Sequence, residues 1–207
     1  MKRVFFWMLV PLLLYSQSAD LTIGRLEETF SRIRTFQAEF EQVYTSSSVS
    51  VPLTETGRIF FQKPDTMKWE YKTPEEKIFL SGDGMFQYYI PEDNQLIRGS
   101  VPREGHEGEI LLILSGQKKV SAGYDIEKIM PEGEGAPVYK LIPKEEGYYS
   151  HHLLVIDERT GLIQTLALFD WTGNMTEIRF NGIRTDVRFK SGIFLLKVPD
   201  DVEIIEY

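Results

Sequence analysis

The sequence contains no cysteine. That excludes a disulfide scaffold, a thiolate zinc site and a cysteine nucleophile. It also excludes a chain lipidated on its own N-terminal cysteine. Histidine is scarce: His106, His151 and His152 are the full set. His151 and His152 are neighbours, and neighbours on a strand point to opposite faces, so they make a poor chelating pair. His106 falls in a polar stretch. All three read as surface histidines, and no metal or cofactor is expected. Basic residues are in deficit, with 23 Lys and Arg against 31 Asp and Glu and a formal net charge of −8. That balance argues against a general nucleic-acid binder, which needs a basic footprint.

Catalytic motifs are lacking too. There is no G-x-S-x-G elbow and no Walker loop. Gly82-Asp83-Gly84 is glycine-rich but lies between strand signals rather than ahead of a helix. The acidic pairs Glu75-Glu76, Glu145-Glu146 and Asp200-Asp201 sit in turn-like segments. They read as solvated charge rather than the two facing carboxylates of a glycosidase. No catalytic residue is assigned, and the chain is not expected to be an enzyme.

Long apolar runs are absent as well. The one candidate, residues 4–15, is broken by Pro11 and is shorter than the roughly 20 residues that span a bilayer. It follows Met1-Lys2-Arg3 and precedes Ser16-Gln17-Ser18-Ala19. Basic start, apolar run and small residues make residues 1–19 a secretory signal peptide, cut near Ser18 or Ala19. The mature chain, residues 20–207, loses Lys2 and Arg3 and is more acidic still. It contains no Pro- or Gly-rich linker and reads as one exported, soluble domain.

What the sequence has in abundance is aromatic: 13 Phe, 10 Tyr and 3 Trp. Residues 21–34 predict an amphipathic helix, with Leu26, Phe30 and Ile33 on one face. From Phe36 the period becomes two. Phe36, Ala38, Phe40 and Gln42 share one face of a strand, with Gln37, Glu39 and Glu41 on the other. Strand signals follow at 54–62, 67–72, 78–81, 85–90 and 95–98, divided by turn residues. In the second of these, Met67, Trp69 and Tyr71 alternate with Lys68, Glu70 and Lys72. Residues 109–116 form an apolar run bounded by Glu109 and Gly116, which favours a short helix buried on more than one side. Residues 118–129 read as an extension of that helical region. Strands resume at 138–142, 153–157, 162–170, 175–181 and 194–197. Short strands with few helices suggest a curved antiparallel sheet or open barrel, with the helices as plug or lid. Such a sheet encloses either a filled core or an apolar cavity, and periodicity does not separate the two.

These residues also carry a resemblance. Phe36-Gln37-Ala38-Glu39-Phe40-Glu41-Gln42 resembles the F-x-A-x-F-x-Q strand of the periplasmic outer-membrane lipoprotein carriers, the LolA family. Gly57-Arg58-Ile59-Phe60-Phe61-Gln62-Lys63-Pro64, then Trp69, then Asp83-Gly84 before an aromatic strand ending in Pro91, is similar to the family's next block. Phe180, Ile183, Phe194, Leu196, Pro199 and Val202-Glu203-Ile204-Ile205 resemble its closing motif, although Asp201 stands where glycine is common.

The resemblance implies a mainly β fold: an unclosed antiparallel β-barrel covered by short α-helices and enclosing a hydrophobic cavity. It implies a periplasmic chaperone that takes acylated lipoproteins from an inner-membrane lipoprotein-releasing ABC transporter to an outer-membrane lipoprotein acceptor, acting as a monomer. By position, the cavity would be lined by Leu26, Phe30, Ile33, Phe40, Phe60, Met67, Trp69, Tyr71, Phe86 and Tyr88. Ile110, Leu111, Ile113 and Leu114 would lie on the second lid helix. Lys63 stands where many members carry the arginine that holds the lid closed through lid-helix carbonyls; lysine keeps the charge but lacks the planar fork. Two other readings stand beside the carrier: a related lipid-sensing periplasmic regulator, and a periplasmic hydrolase.

Overall fold

The computed structural model of the chain describes residues 12–49, 51–100, 106–131, 133 and 135–207. Residues 1–11, most of the expected signal peptide, lie outside the described residues, as do residues 101–105 of the polar stretch before the second helix.

Helix α1 (Leu12–Arg32) opens the described chain and starts earlier than the periodicity predicts. Six strands follow: β1 (Thr35–Thr45), β2 (Leu53–Gln62), β3 (Thr66–Thr73), β4 (Lys77–Gly82), β5 (Met85–Ile90) and β6 (Gln95–Ser100). Then come α2 (His106–Ser115) and the single turn α3 (Val120–Gly123). The chain ends with β7 (Tyr124–Ile129), β8 (Val138–Pro143), β9 (Tyr149–Ile156), β10 (Ile163–Asp170), β11 (Met175–Thr185) and β12 (Glu203–Glu206).

All twelve strands form one sheet in the order β12-β6-β5-β4-β3-β2-β1-β11-β10-β9-β8-β7. Every pair is antiparallel except β12 on β6. The end strands β7 and β12 do not pair with each other, so the barrel is unclosed. The longest pairings, β1 with β2 and with β11, put the F-x-A-x-F-x-Q strand at the middle of the sheet. The alternation predicted there holds: Phe36, Ala38, Phe40 and Gln42 are buried on the face turned to the helices. Gly57 lies opposite Phe40 in β2. A Cβ there would sit 2.8 Å from the Phe40 ring and 2.1 Å from the Glu70 carbonyl oxygen, so only glycine lets the aromatic lie across the strand.

Three expectations are corrected. Residues 118–129 are not helical beyond α3: Tyr124 and Ile126 turn inward with a two-residue period, and pairing with β8 outweighs local helix propensity. Residues 194–197 are not a strand. Residues 187–195 instead form a strap across the outer face of β2 and β3. There the Lys68 ammonium donates to the Ile193 carbonyl at 3.1 Å, and the Phe189 ring stands edge-on to Phe60 at 5.9 Å. This strap also buries Lys68. Finally, the histidines are not all at the surface. His106 opens α2, His151 is half-buried against Phe169, and His152 is 1% exposed.

Candidate functional site

The inner face of the sheet and the two longer helices share one hydrophobic core. From α1 come Ile23, Leu26, Phe30 and Ile33; from α2 come Ile110, Leu111, Ile113 and Leu114. Helix α2 is buried nearly all round, which explains why its sequence is apolar without a polar stripe.

Aromatic rings run across the strands beneath them. Phe30 meets Phe36 at 6.4 Å, and Phe36 meets Phe180 edge-on at 6.0 Å. Phe40 stands edge-on to Trp69 at 4.7 Å and to Tyr71 at 5.1 Å. Phe79 stacks on Phe86 at 5.9 Å and lies 6.4 Å from Tyr88. Met67 is fully buried in the same core.

Of the expected cavity residues, Leu26, Phe30, Ile33, Phe40, Met67, Trp69, Tyr71, Phe86 and Tyr88 therefore meet on the inner side. Phe60 does not. Its neighbours Ile59 and Phe61 point inward, so the strand pleat sends Phe60 outward against Phe189. Phe36, Ile163, Leu166 and Phe180 were not assigned to the cavity from the sequence. Together with Phe30, Ile110, Ile113 and Leu114 they line a wholly apolar gap between the helices and the sheet. The gap measures about 10 Å³. That is at the lower limit of roughly 10–15 Å³ for a single water.

Helix α1 is fastened at three places, one of them where the Ser121 amide of α3 donates to the Glu27 carboxylate at 2.7 Å. At its C-terminal end the Lys63 ammonium donates to the carbonyls of Phe30 at 2.6 Å and Ser31 at 2.7 Å. Helix C-terminal carbonyls lack intrahelical partners and carry partial negative charge, so a cation is well placed there. Further back, α1 is bonded to the β9–β10 turn. The Thr29 hydroxyl donates to the Thr160 carbonyl at 2.7 Å, and the Arg25 guanidinium donates to the Glu158 carbonyl. The Glu158 carboxylate accepts from the Tyr139 hydroxyl at 2.7 Å and from the Lys128 ammonium at 3.0 Å. Those two donors hold its pKa below the usual carboxylate range.

Helix α2 stands on a buried polar foot. Glu109 accepts hydrogen bonds from the Tyr124 hydroxyl and, at 3.1 Å, from the Lys118 ammonium. His152 Nδ1 lies 3.9 Å from the same carboxylate oxygen. Burial pushes the His152 pKa down to about 4, against the opposing pull of Glu109. Burial and the adjacent carboxylate push the Tyr124 hydroxyl up. The sequence signalled none of this, because the four side chains come from α2, the segment before α3, β7 and β9. Among the described residues, no group of three or more His, Asp and Glu side chains could hold a metal ion.

An unclosed twelve-stranded half-barrel, closed on its inner face by hydrogen-bonded helices over an aromatic interior, defines a lidded apolar-core protein. The family model for the outer membrane lipoprotein carrier protein LolA matches residues 31–197, and the chain belongs to that family. An outer-membrane lipoprotein carrier protein of Methylococcus capsulatus is 28% identical over 210 residues, covering 95% of each chain. One of Azotobacter vinelandii is 23% identical over 191 residues, covering 92% of this chain and 91% of the relative. Among solved structures, an uncharacterized conserved protein from Thermus thermophilus superposes with a TM-score of 0.57 at 14% identity, over 92% of this chain and all of that one. The crystal structure of MucB superposes with a TM-score of 0.52 at 16% identity, over 91% of this chain and 66% of MucB. At these identities the structural likeness is one of fold.

Proposed function

We propose that the chain is exported, sheds residues 1–19 as a signal peptide, and works in the periplasm as a lipoprotein carrier. It shields the acyl chains of lipoproteins released at the inner membrane by an ABC transporter and gives them up to an acceptor at the outer membrane. It binds and hands over, and catalyses no bond breakage.

The observation that carries this reading is an apolar inner face of the sheet covered by helices α1 and α2. Burying one methylene is worth roughly 0.8 kcal/mol, so a multi-chain lipid anchor does not cross water unaided. Cargo needs an apolar wall and an entrance. The wall is the Phe36, Phe40, Trp69 and Phe180 side of the sheet. The gap between helices and sheet measures about 10 Å³, so in this reading acyl chains enter by displacing the lid. Helix α1 is the mobile part in this reading: its fastenings to Lys63, to the β9–β10 turn and to α3 through Glu27 are a few hydrogen bonds at the rim. Helix α2 is held from below by Glu109 and moves less. Lys63 is the lid latch in this reading. Phe30, Ile110, Ile113 and Leu114 fill the space that acyl chains take over, so the closed lid substitutes for cargo and favours its release.

The test is to purify the mature protein from its native periplasm and identify by mass spectrometry what accompanies it. Triacylated lipoprotein is the expected companion. Free phospholipid or glycolipid alone would replace the lipoprotein carrier with another lipid-handling role, and turnover of model esters would make the protein an enzyme.

A further inference from the structure

The outer face carries a second concave surface that the interior does not explain. Between the strap and β1, β2 and β11 runs a groove of about 660 Å³, lined by Arg58, Arg184, Arg188 and Lys190 and floored by Phe60, Phe189 and Ile193. Glu39 is the one carboxylate in its wall. The chain as a whole is acidic at −8, so a groove holding four cations against one anion is a strong local reversal of charge.

Arg58 is committed to Glu70 at 2.7 Å. Among the described residues, no carboxylate is recorded in an ion pair with Arg184, Arg188 or Lys190, and all three are exposed. The sheet is also irregular here. Between the pairs Gln37↔Arg184 and Glu39↔Asn181, two residues of β11 oppose Ala38 alone. One of them, Gly182, has φ +58 and nothing within 4 Å of where a Cβ would lie. Such a bulge interrupts the ladder and leaves backbone open to a visitor.

We infer that this groove docks an acidic, partly apolar peptide segment of a protein partner. Three observations choose that occupant. Arg184, Arg188 and Lys190 have no carboxylate partner among the described residues and line one recess, so the complement is anionic. The floor is aromatic and aliphatic, so the complement also brings apolar side chains. The site is recessed behind the strap, whereas a lipid headgroup surface is flat and would meet only the tips of the cations. Beyond a Debye length of about 8 Å the acidic remainder of the chain is screened, and the local charges decide the encounter. The proposal concerns the outer face and holds whether or not the interior takes acyl chains.

The experiment titrates the mature protein into a short fluorescein-labelled peptide of alternating acidic and apolar residues and follows anisotropy. Saturable binding that weakens with salt is expected, with no binding of a lysine-for-acid counterpart. The double variant Arg184→Glu, Arg188→Glu should bind about tenfold more weakly or worse. Lys190→Glu, on the strap, should weaken binding in the same direction. Thermal unfolding shows that both variants remain folded, and uptake of an apolar dye by the interior should be unchanged in them. Equal binding by the charge-reversed variants overturns the proposal. So does absence of saturable binding. Co-sedimentation with phosphatidylglycerol vesicles without peptide binding would assign the groove to a membrane surface instead.

Discussion

Replacing Lys63 with methionine keeps the apolar stem and removes the ammonium that caps α1. The two bonds lost run to main-chain carbonyls at 2.6 and 2.7 Å. A hydrogen bond to a charged group contributes roughly 1.5–3 kcal/mol when desolvated. The Ser31 bond is exposed and the Phe30 bond only partly buried, so solvent screening pulls the pair together to about 1.5 kcal/mol. The open state lacks both bonds, so the loss falls on the closed state alone. About 1.4 kcal/mol is a factor of ten in an equilibrium constant. Cargo and the closed lid compete for one interior, so apparent affinity for an apolar probe scales with the open fraction while that fraction is small. Lys63→Met should therefore bind an apolar fluorescent dye about tenfold more tightly and release it less completely. Hydrogen exchange of α1 amides should quicken by a similar factor. Lys63→Arg should match the wild type or retain less dye, because the guanidinium offers more donors to the same carbonyls. Unchanged dye affinity and unchanged α1 exchange in Lys63→Met would refute the latch.

Three further outcomes follow from other parts of the fold. Thr29→Val removes the bond to the Thr160 carbonyl, and residues 21–29 of α1 should exchange faster, with dye affinity rising severalfold; equal exchange would mean that the β9–β10 turn does not fasten the lid. His152 is held neutral with its pKa near 4, whereas an unfolded histidine titrates at 6.5. The unfolded chain thus takes up the proton first as pH falls, and stability should drop between pH 6.5 and 4, by roughly 3 kcal/mol at most. In His152→Phe that part of the drop should vanish, read as urea midpoints above and below the window. Phe189→Ala unseats the strap from Phe60 and should cost about 1–2 kcal/mol while leaving dye uptake unchanged; an altered dye affinity would show that the strap and the interior communicate.

The central strands were legible because their chemistry is doubly determined. β1 alternates cleanly, and its partners β2 and β11 supply matching inward residues, so pattern and pairing agree. Helix α2 was legible from its all-apolar run and terminal glycine. The segment at 118–129 was misread because its pattern was weak: only Tyr124 and Ile126 turn inward, and pairing with the next strand, β8, rather than local propensity makes it a strand. Phe60 was misplaced because Phe60 and Phe61 are equally apolar, and only the pleat decides which faces inward. The strap explains that misreading: an outer-face phenylalanine is unusual unless something covers it, and the covering residues 187–195 lie far along the chain. The polar foot under α2 was invisible for a similar reason. The opposite faces of His151 and His152 were legible, but that the His152 side turns into the core is set by the packing of β9 under α2 and β7.

The C-terminal strap behaves mechanically as a hoop. It is stitched at Lys68 and Phe60 on one side, and its far end is sewn to β6 as the parallel strand β12. A half-barrel with free edges would ordinarily relieve internal pressure by flattening. Here the C-terminal segment ties β2, β3 and β6 together across the outer face, whereas the β7 to β10 side is tied to α1 through the β9–β10 turn. On the proposed carrier reading, an interior that takes up acyl chains would swell away from the hooped wall, toward α1. On that reading the tail of the chain would set the direction in which the molecule opens.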